Sequence, residues 1–251
     1  MALTLGELTY PEAEKLLPGA VLLLPVGAIE PHGPHLPLET DCVLAAELAR
    51  RSAAHLQERG ASAFALPTLP VSVTDYAQGF AGALSIPAAD VAAYLRATAL
   101  AGLRAGARRV AILTFHFDPG HHAVMRAAPA EANAAARAAG LRGDVILVDF
   151  TKRAHAQRIG GEFATGSCHG GSFESSLLLA ARPDLVREAA RRALPDLPVP
   201  LPERMRAGAA TFRDCGMDQA YCGFPSQASA QEGERLYGIL SEIITEAVLT
   251  P

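Results

Sequence analysis

The chain has 251 residues, of which 50% are hydrophobic and 19% charged, with a formal net charge of −4. That length suits one large α/β domain with a sizeable core. No concentrated basic surface is encoded, which argues against nucleic-acid binding. No apolar run approaches the roughly 18 residues of a membrane span.

Short apolar runs alternate with longer Ala/Leu/Arg segments along the chain. Val21–Val26 reads as a buried strand. Residues 42–57 read as a helix, with Thr40 or Asp41 able to cap it. Residues 63–66 form a short strand, and 87–105 a helix with Pro87 in its first turn. Residues 110–114 are predicted as a strand, 120–139 as an Ala-rich helix and 145–150 as a further strand. The Pro-rich stretch 195–202 reads as a surface connection, and 230–249 as a final helix. This rhythm predicts a three-layer α/β/α fold, mainly parallel in its sheet, over a single domain of residues 1–251.

Cys42, Cys168, Cys215 and Cys222 form no C-x-x-C pair. The amino end lacks a basic segment followed by an apolar stretch. A cytoplasmic setting with free thiols is expected, a Cys215–Cys222 bridge being the reading for an oxidising compartment. The low charge favours a surface partly covered by other subunits.

In such a sheet ligands bind beyond the carboxyl ends of the strands. Three unusual segments fall there. The first holds Glu30, His32, His35, Glu39 and Asp41 among Pro31, Gly33, Pro34 and Pro37, a stiff loop rich in imidazole and carboxylate that suits a divalent metal. The second, from His116 through Phe117, Asp118, Pro119 and Gly120 to His121 and His122, offers His116 and Asp118 to a common point. The third runs from Cys168 and His169 through Gly170, Gly171, Ser172, Phe173 and Glu174 to Ser175 and Ser176. No G-x-S-x-G elbow surrounds either serine, which argues against a serine nucleophile.

Residues 25–41 resemble the signature of the creatininase (creatinine amidohydrolase) family, P-V-G-x-x-E-x-H-G-P-H-L-P-x-x-T-D. Residues 80–85 are similar to its F-P-G-T-x-S, residues 169–177 to its H-A-G-x-x-E-T-S-L, and residues 223–233 to its closing segment. The resemblance covers nearly the whole chain. It implies two divalent ions (Zn, Mn or Fe), with Glu30 and His32 on different metals and Asp41 bridging them. His116 would complete the first metal and Asp118 the second, the acidic position elsewhere in the family being Ser172 here. His169 would be the acid/base or substrate-polarising histidine, and Glu174 an outer support. Thr74, Phe117 and His122 would face a small-molecule substrate, and the assembly would be a homohexamer.

The implied activity is hydrolysis of a cyclic amide or formamide. Residues 114–119 depart from the family's N-G-H-x-x-N, and the chain has no tryptophan, so creatinine is not the expected substrate. The alternatives are hydrolytic ring opening of a cyclic polyol ketone and a non-catalytic maturation or binding partner.

Overall fold

The computed structural model describes residues 2–250. Four strands, β1 (Val21–Val26), β2 (Ala63–Ala65), β3 (Arg109–Thr114) and β4 (Asp144–Leu147), form a parallel sheet in the order β2-β1-β3-β4. The helices are α1 (Tyr10–Leu16), α2 (Thr40–Glu58), α3 (Ala88–Arg104), α4 (Pro119–Ala138), α5 (Arg153–Ile159), α6 (Gly161–Thr165), α7 (Ser172–Ala181), α8 (Glu188–Ala193), α9 (Leu201–Arg206) and α10 (Ala230–Leu249).

β1 is buried along its whole length, so both of its faces must be apolar, as the run VLLLPV provides. Val21 and Leu23 pack with Leu44 and Leu48 of α2, Leu177 of α7 and Leu240 of α10. Leu22, Leu24 and Val26 point the other way, onto Val91 and Leu95 of α3 and Met125 of α4. The result is the three-layer α/β/α arrangement that the alternating runs predict.

The helices decide where a ligand can enter. α2 carries the chain from β1 to β2 on one face, and α3 returns it from β2 to β3 on the other. The winding therefore reverses between the neighbouring strands β1 and β3, and the segments leaving their carboxyl ends splay apart there. A smaller apolar cluster, including Val199, Leu201, Phe212 and Met217, lies outside the two main cores.

Some elements differ from their predicted form. β4 stops at Leu147 rather than residue 150, because Asp149 folds back to accept the Thr151 N–H at 2.9 Å. α2 begins at Thr40, so neither Thr40 nor Asp41 caps it; both lie in its first turn. The Pro-rich stretch holds the start of α9, entered through Leu201 and Pro202. All four thiols are free. No helix among the described residues is long and apolar enough to cross a membrane.

α10 meets α7 closely at Gly233, where an added Cβ would lie 2.0 Å from the Ser176 carbonyl oxygen. Gly233→Ala should therefore cost about 2 kcal/mol, lowering Tm by roughly 4–8 °C. Gly238→Ala, with no atom within 4 Å of the added carbon, should leave Tm unchanged or raise it. Thermal unfolding of the two variants side by side checks the contrast.

Candidate metal centre

The loop after β1 places Glu30 and His32 over the sheet, and the first turn of α2 adds Asp41. The residues after β3 bring in His116. The turn before α7 contributes His169, and α7 itself contributes Glu174. Glu30, His32, Asp41, His116 and Glu174 are each at most 2% exposed, and His169 is 8% exposed.

The distances are those of one cluster. His32 Nε2 lies 3.1 Å from Asp41 Oδ1 and 3.6 Å from Glu174 Oε2. His116 Nδ1 lies 3.1 Å from Glu30 Oε1 and 3.2 Å from Asp41 Oδ2. His169 Nδ1 lies 3.8 Å from Glu30 Oε1. Three overlapping sets have ligand atoms within 4.8 Å of one another: Glu30, Asp41 and His116; His32, Asp41 and Glu174; and Glu30, His32 and His169. Asp41 is common to the first two.

Each histidine is held in the same manner. His32 Nδ1 donates to the Glu30 carbonyl at 3.1 Å, His116 Nε2 to the Val73 carbonyl at 2.7 Å, and His169 Nε2 to the Pro31 carbonyl at 3.0 Å. A carbonyl can only accept, so the outer nitrogen of each ring carries the proton. In a neutral ring the inner nitrogen then turns its lone pair towards the carboxylates, the tautomer control seen in metal-binding histidines. His32 Nε2 and both Asp41 oxygens make no hydrogen bond of acceptable geometry. Buried polar atoms seldom stay unpaired. Lone pairs converging on shared points fit a divalent cation.

Without a cation, protons must compensate the buried carboxylates. Burial alone would lower His32, but Asp41 and Glu174 raise it to about 10. His116 is likewise held well above its ordinary value, against burial, by Glu30 and Asp41. Burial pushes Glu174 up to about 8, although His32 pulls the other way. His169 differs: burial and the neighbouring His32 bring it down to about 4, which leaves it neutral near pH 7.

The cluster gathers Glu30, His32, Asp41 and His116 from the expected ligands but leaves out Asp118. That carboxylate caps α4: Oδ1 accepts from the Gly120 and His121 N–H groups at 2.7 and 3.3 Å, and Oδ2 accepts from the Tyr76 N–H at 3.0 Å. Asp followed by Pro at the first helical position is a cap signature, and it competes with the metal reading of the same residue. Glu174, expected only as an outer support, is the third carboxylate that lies within the cluster.

Two of the expected substrate-facing residues also move. Thr74 is fully buried and donates its hydroxyl to Glu30, steadying that carboxylate from behind. His122 lies stacked against Phe117, with centroids 5.5 Å apart, and is not among the residues that line the cavity above the cluster. Phe117 does line it. In the first loop, His35 is buried with Nε2 3.0 Å from the Ser175 hydroxyl, while Glu39 is exposed. Ser175 and Ser176 are fully buried.

Glu162 is the residue that sequence patterns did not single out. Its carboxylate accepts the Phe173 N–H at 2.8 Å, at the start of α7, and also the Phe224 N–H. An added Cβ on Gly223 would lie 2.4 Å from Glu162 Oε1, so a glycine is needed for that approach. The helix carrying Glu174 and the segment at Phe224 are thus tied to one carboxylate. A lone glutamate in a short helix gives no signal of this role.

The family model for creatininase, described as creatinine amidohydrolase, matches residues 6–248. A mycofactocin precursor peptide peptidase from Mycobacterium tuberculosis (strain CDC 1551 / Oshkosh) is 30% identical over 249 residues, covering 94% of this chain and 86% of that protein. A creatinine amidohydrolase from Pseudomonas putida is 31% identical over 195 residues, covering 72% of each. A solved structure described as creatininase Mn superposes with a TM-score of 0.75 at 25% identity, covering 99% of this chain and 98% of that one.

Burial also lowers His122 to about 4 from an ordinary 6.5, a shift with a stability consequence. Between pH 6.5 and about 4 the unfolded chain takes up a proton at this position that the folded chain refuses, so stability falls as pH drops through that window. His122→Phe keeps the stacked ring and removes the titration. Denaturant unfolding at pH 7 and pH 4.5 should show a smaller acid-induced loss in this variant than in the parent. An equal loss would mean that His122 is not held neutral.

Proposed function

Because the chain belongs to the creatininase family, whose named members here are an amidohydrolase and a peptidase, we propose that it is a metal-dependent hydrolase cleaving the C–N bond of an amide. The observation that carries this reading is the buried cluster, in which three carboxylates and three imidazoles converge with their outer hydrogen bonds already made.

Two ions are the arrangement that the donor sets support. Glu30, Asp41 and His116 would hold one, and His32, Asp41 and Glu174 the other, with Asp41 shared. When bound, such ions polarise a carbonyl oxygen and lower the pKa of water towards neutrality. Zn, Mn and Fe all suit mixed imidazole and carboxylate ligands.

The protein's own contribution centres on His169. Its Nε2–H is committed to the Pro31 carbonyl, and its Nδ1 is left as an acceptor facing the cluster. Neutral in the resting state, it can take the proton of an attacking water. The imidazolium so formed is a strong acid in this buried setting and readily gives that proton to the departing nitrogen. Phe212 lies against the ring, with centroids 4.3 Å apart, and limits its movement.

The cavity supports amide chemistry over ring opening of a polyol ketone. Beside the cluster its walls carry Phe115, Phe117, Phe163, Phe212, Leu201 and Met205, an apolar surface that suits an acyl or aromatic group better than a ring of hydroxyls. A complete donor set likewise favours an enzyme over a non-catalytic partner. A cytoplasmic place and a homo-oligomer, hexameric by family likeness, belong to the same proposal, and the 19% charged composition supports assembly.

Metal analysis after reconstitution with Zn, Mn or Fe tests the assignment. The parent and Asp118→Asn should each retain about two ions per chain, whereas Glu174→Gln should fall towards one. Loss of metal in Asp118→Asn with retention in Glu174→Gln would reverse the assignment, and less than about one ion in the parent would end the two-metal reading. His169→Ala should keep its metal yet lose about 10²–10⁴-fold in kcat, the usual share of general acid–base catalysis.

A further inference from the structure

The cavity above the cluster has a volume of about 370 Å³, with Glu30, His116, His169 and Glu174 among its lining residues. Phe115, Phe163 and Phe212 face it and are each at most 8% exposed, so packing holds them in place. Phe163 rests edge-on against Phe117 at 5.4 Å and tilted against Phe173 at 4.9 Å. α9 closes another side with Leu201 and Met205, and adds Arg206 and Glu203. Arg206 is exposed and pairs with no carboxylate among the described residues. Apart from the imidazoles it is the cationic side chain lining the cavity.

We propose that the cavity selects N-acylated apolar amino acids carrying a free carboxylate. The scissile carbonyl would lie over the cluster, an aromatic or branched side chain between Phe163, Phe117 and Leu201, and the carboxylate on Arg206. This rests on the amide-hydrolase reading above. Hydrolysis adds one water across the C–N bond: the hydroxyl goes to the acyl carbon, the proton to nitrogen, and the amino acid leaves as a free amine. No oxidant or reductant is consumed.

The physical case has two parts. An aromatic side chain removes 150–250 Å² from water when buried, and phenyl walls offer it tilted and edge-on partners. A guanidinium presents a planar fork that matches a carboxylate. Glu203, one helical turn before Arg206, opposes a second negative charge and so disfavours dianions such as phosphate monoesters. The same chemistry arises in small N-acyl amino acids and at the carboxyl end of a peptide.

Calorimetry on the metal-loaded protein tests the subsite without relying on turnover. 3-Phenylpropionate should bind about fivefold more tightly than 3-phenylpropanamide, the upper end of what one exposed ion pair contributes. Arg206→Gln should abolish that preference and Arg206→Lys should keep part of it, while Phe163→Ala should weaken both ligands alike. Equal binding of acid and amide by the parent would overturn the proposal. So would a preference surviving Arg206→Gln, since the carboxylate would then sit on the metals. Turnover of N-acetylphenylalanine and of a short peptide ending in Phe distinguishes the two sources. If neither is hydrolysed while binding still depends on Arg206, the amide-hydrolase reading fails and the subsite stands.

Discussion

Three carboxylates share one dry place at the carboxyl ends of β1 and β3, and this constrains the surrounding structure. Glu30, Asp41 and Glu174 cannot all be charged there without nearby positive charge. Protons on His32 and His116 are one answer, divalent cations another. The carboxylates raise His32 and His116, and burial raises Glu174, so in a site without cations protons are favoured on these groups. A cation bound there would displace those protons, and its affinity would depend on pH.

The fold supplies what this cluster demands. Reversal of winding between β1 and β3 opens the space, and the β1 loop and the first turn of α2 fill it from one side. The positive end of α2 favours the ionised form of Asp41. α7 brings Glu174 from a part of the chain more than a hundred residues away, and Glu162 and the Gly170 N–H hold that end of the helix in register. The main layers and the site are thus linked through a few helix termini.

Much of this was legible in the sequence, for identifiable reasons. Buried strands such as Val21–Val26 read as continuous apolar runs, and clustered His, Glu and Asp beside prolines mark the first loop. The third carboxylate is the difficulty. Asp118 and Glu174 both follow a histidine by a few residues, and spacing alone cannot say which carboxylate turns inward. The choice is made by the helix start at Pro119, whose free N–H groups claim Asp118. Adjacency to a site in sequence does not reveal whether a side chain points at the cavity, as Phe117 does, or lies off it, as Thr74 and His122 do. Glu162 is illegible because its two partners, the Phe173 and Phe224 N–H groups, meet only in the folded chain.

The main-chain carbonyls of Glu30, Pro31 and Val73 fix the tautomers of His32, His169 and His116. A carbonyl is retained whatever side chain its residue bears. The protonated nitrogen of each imidazole is therefore set by the main chain rather than by the phenyl rings and the α9 residues that surround the cavity. Such a division lets the walls drift in shape and polarity while the reactive machinery stays tuned. A scaffold of this type can change what it accepts without first losing what it does.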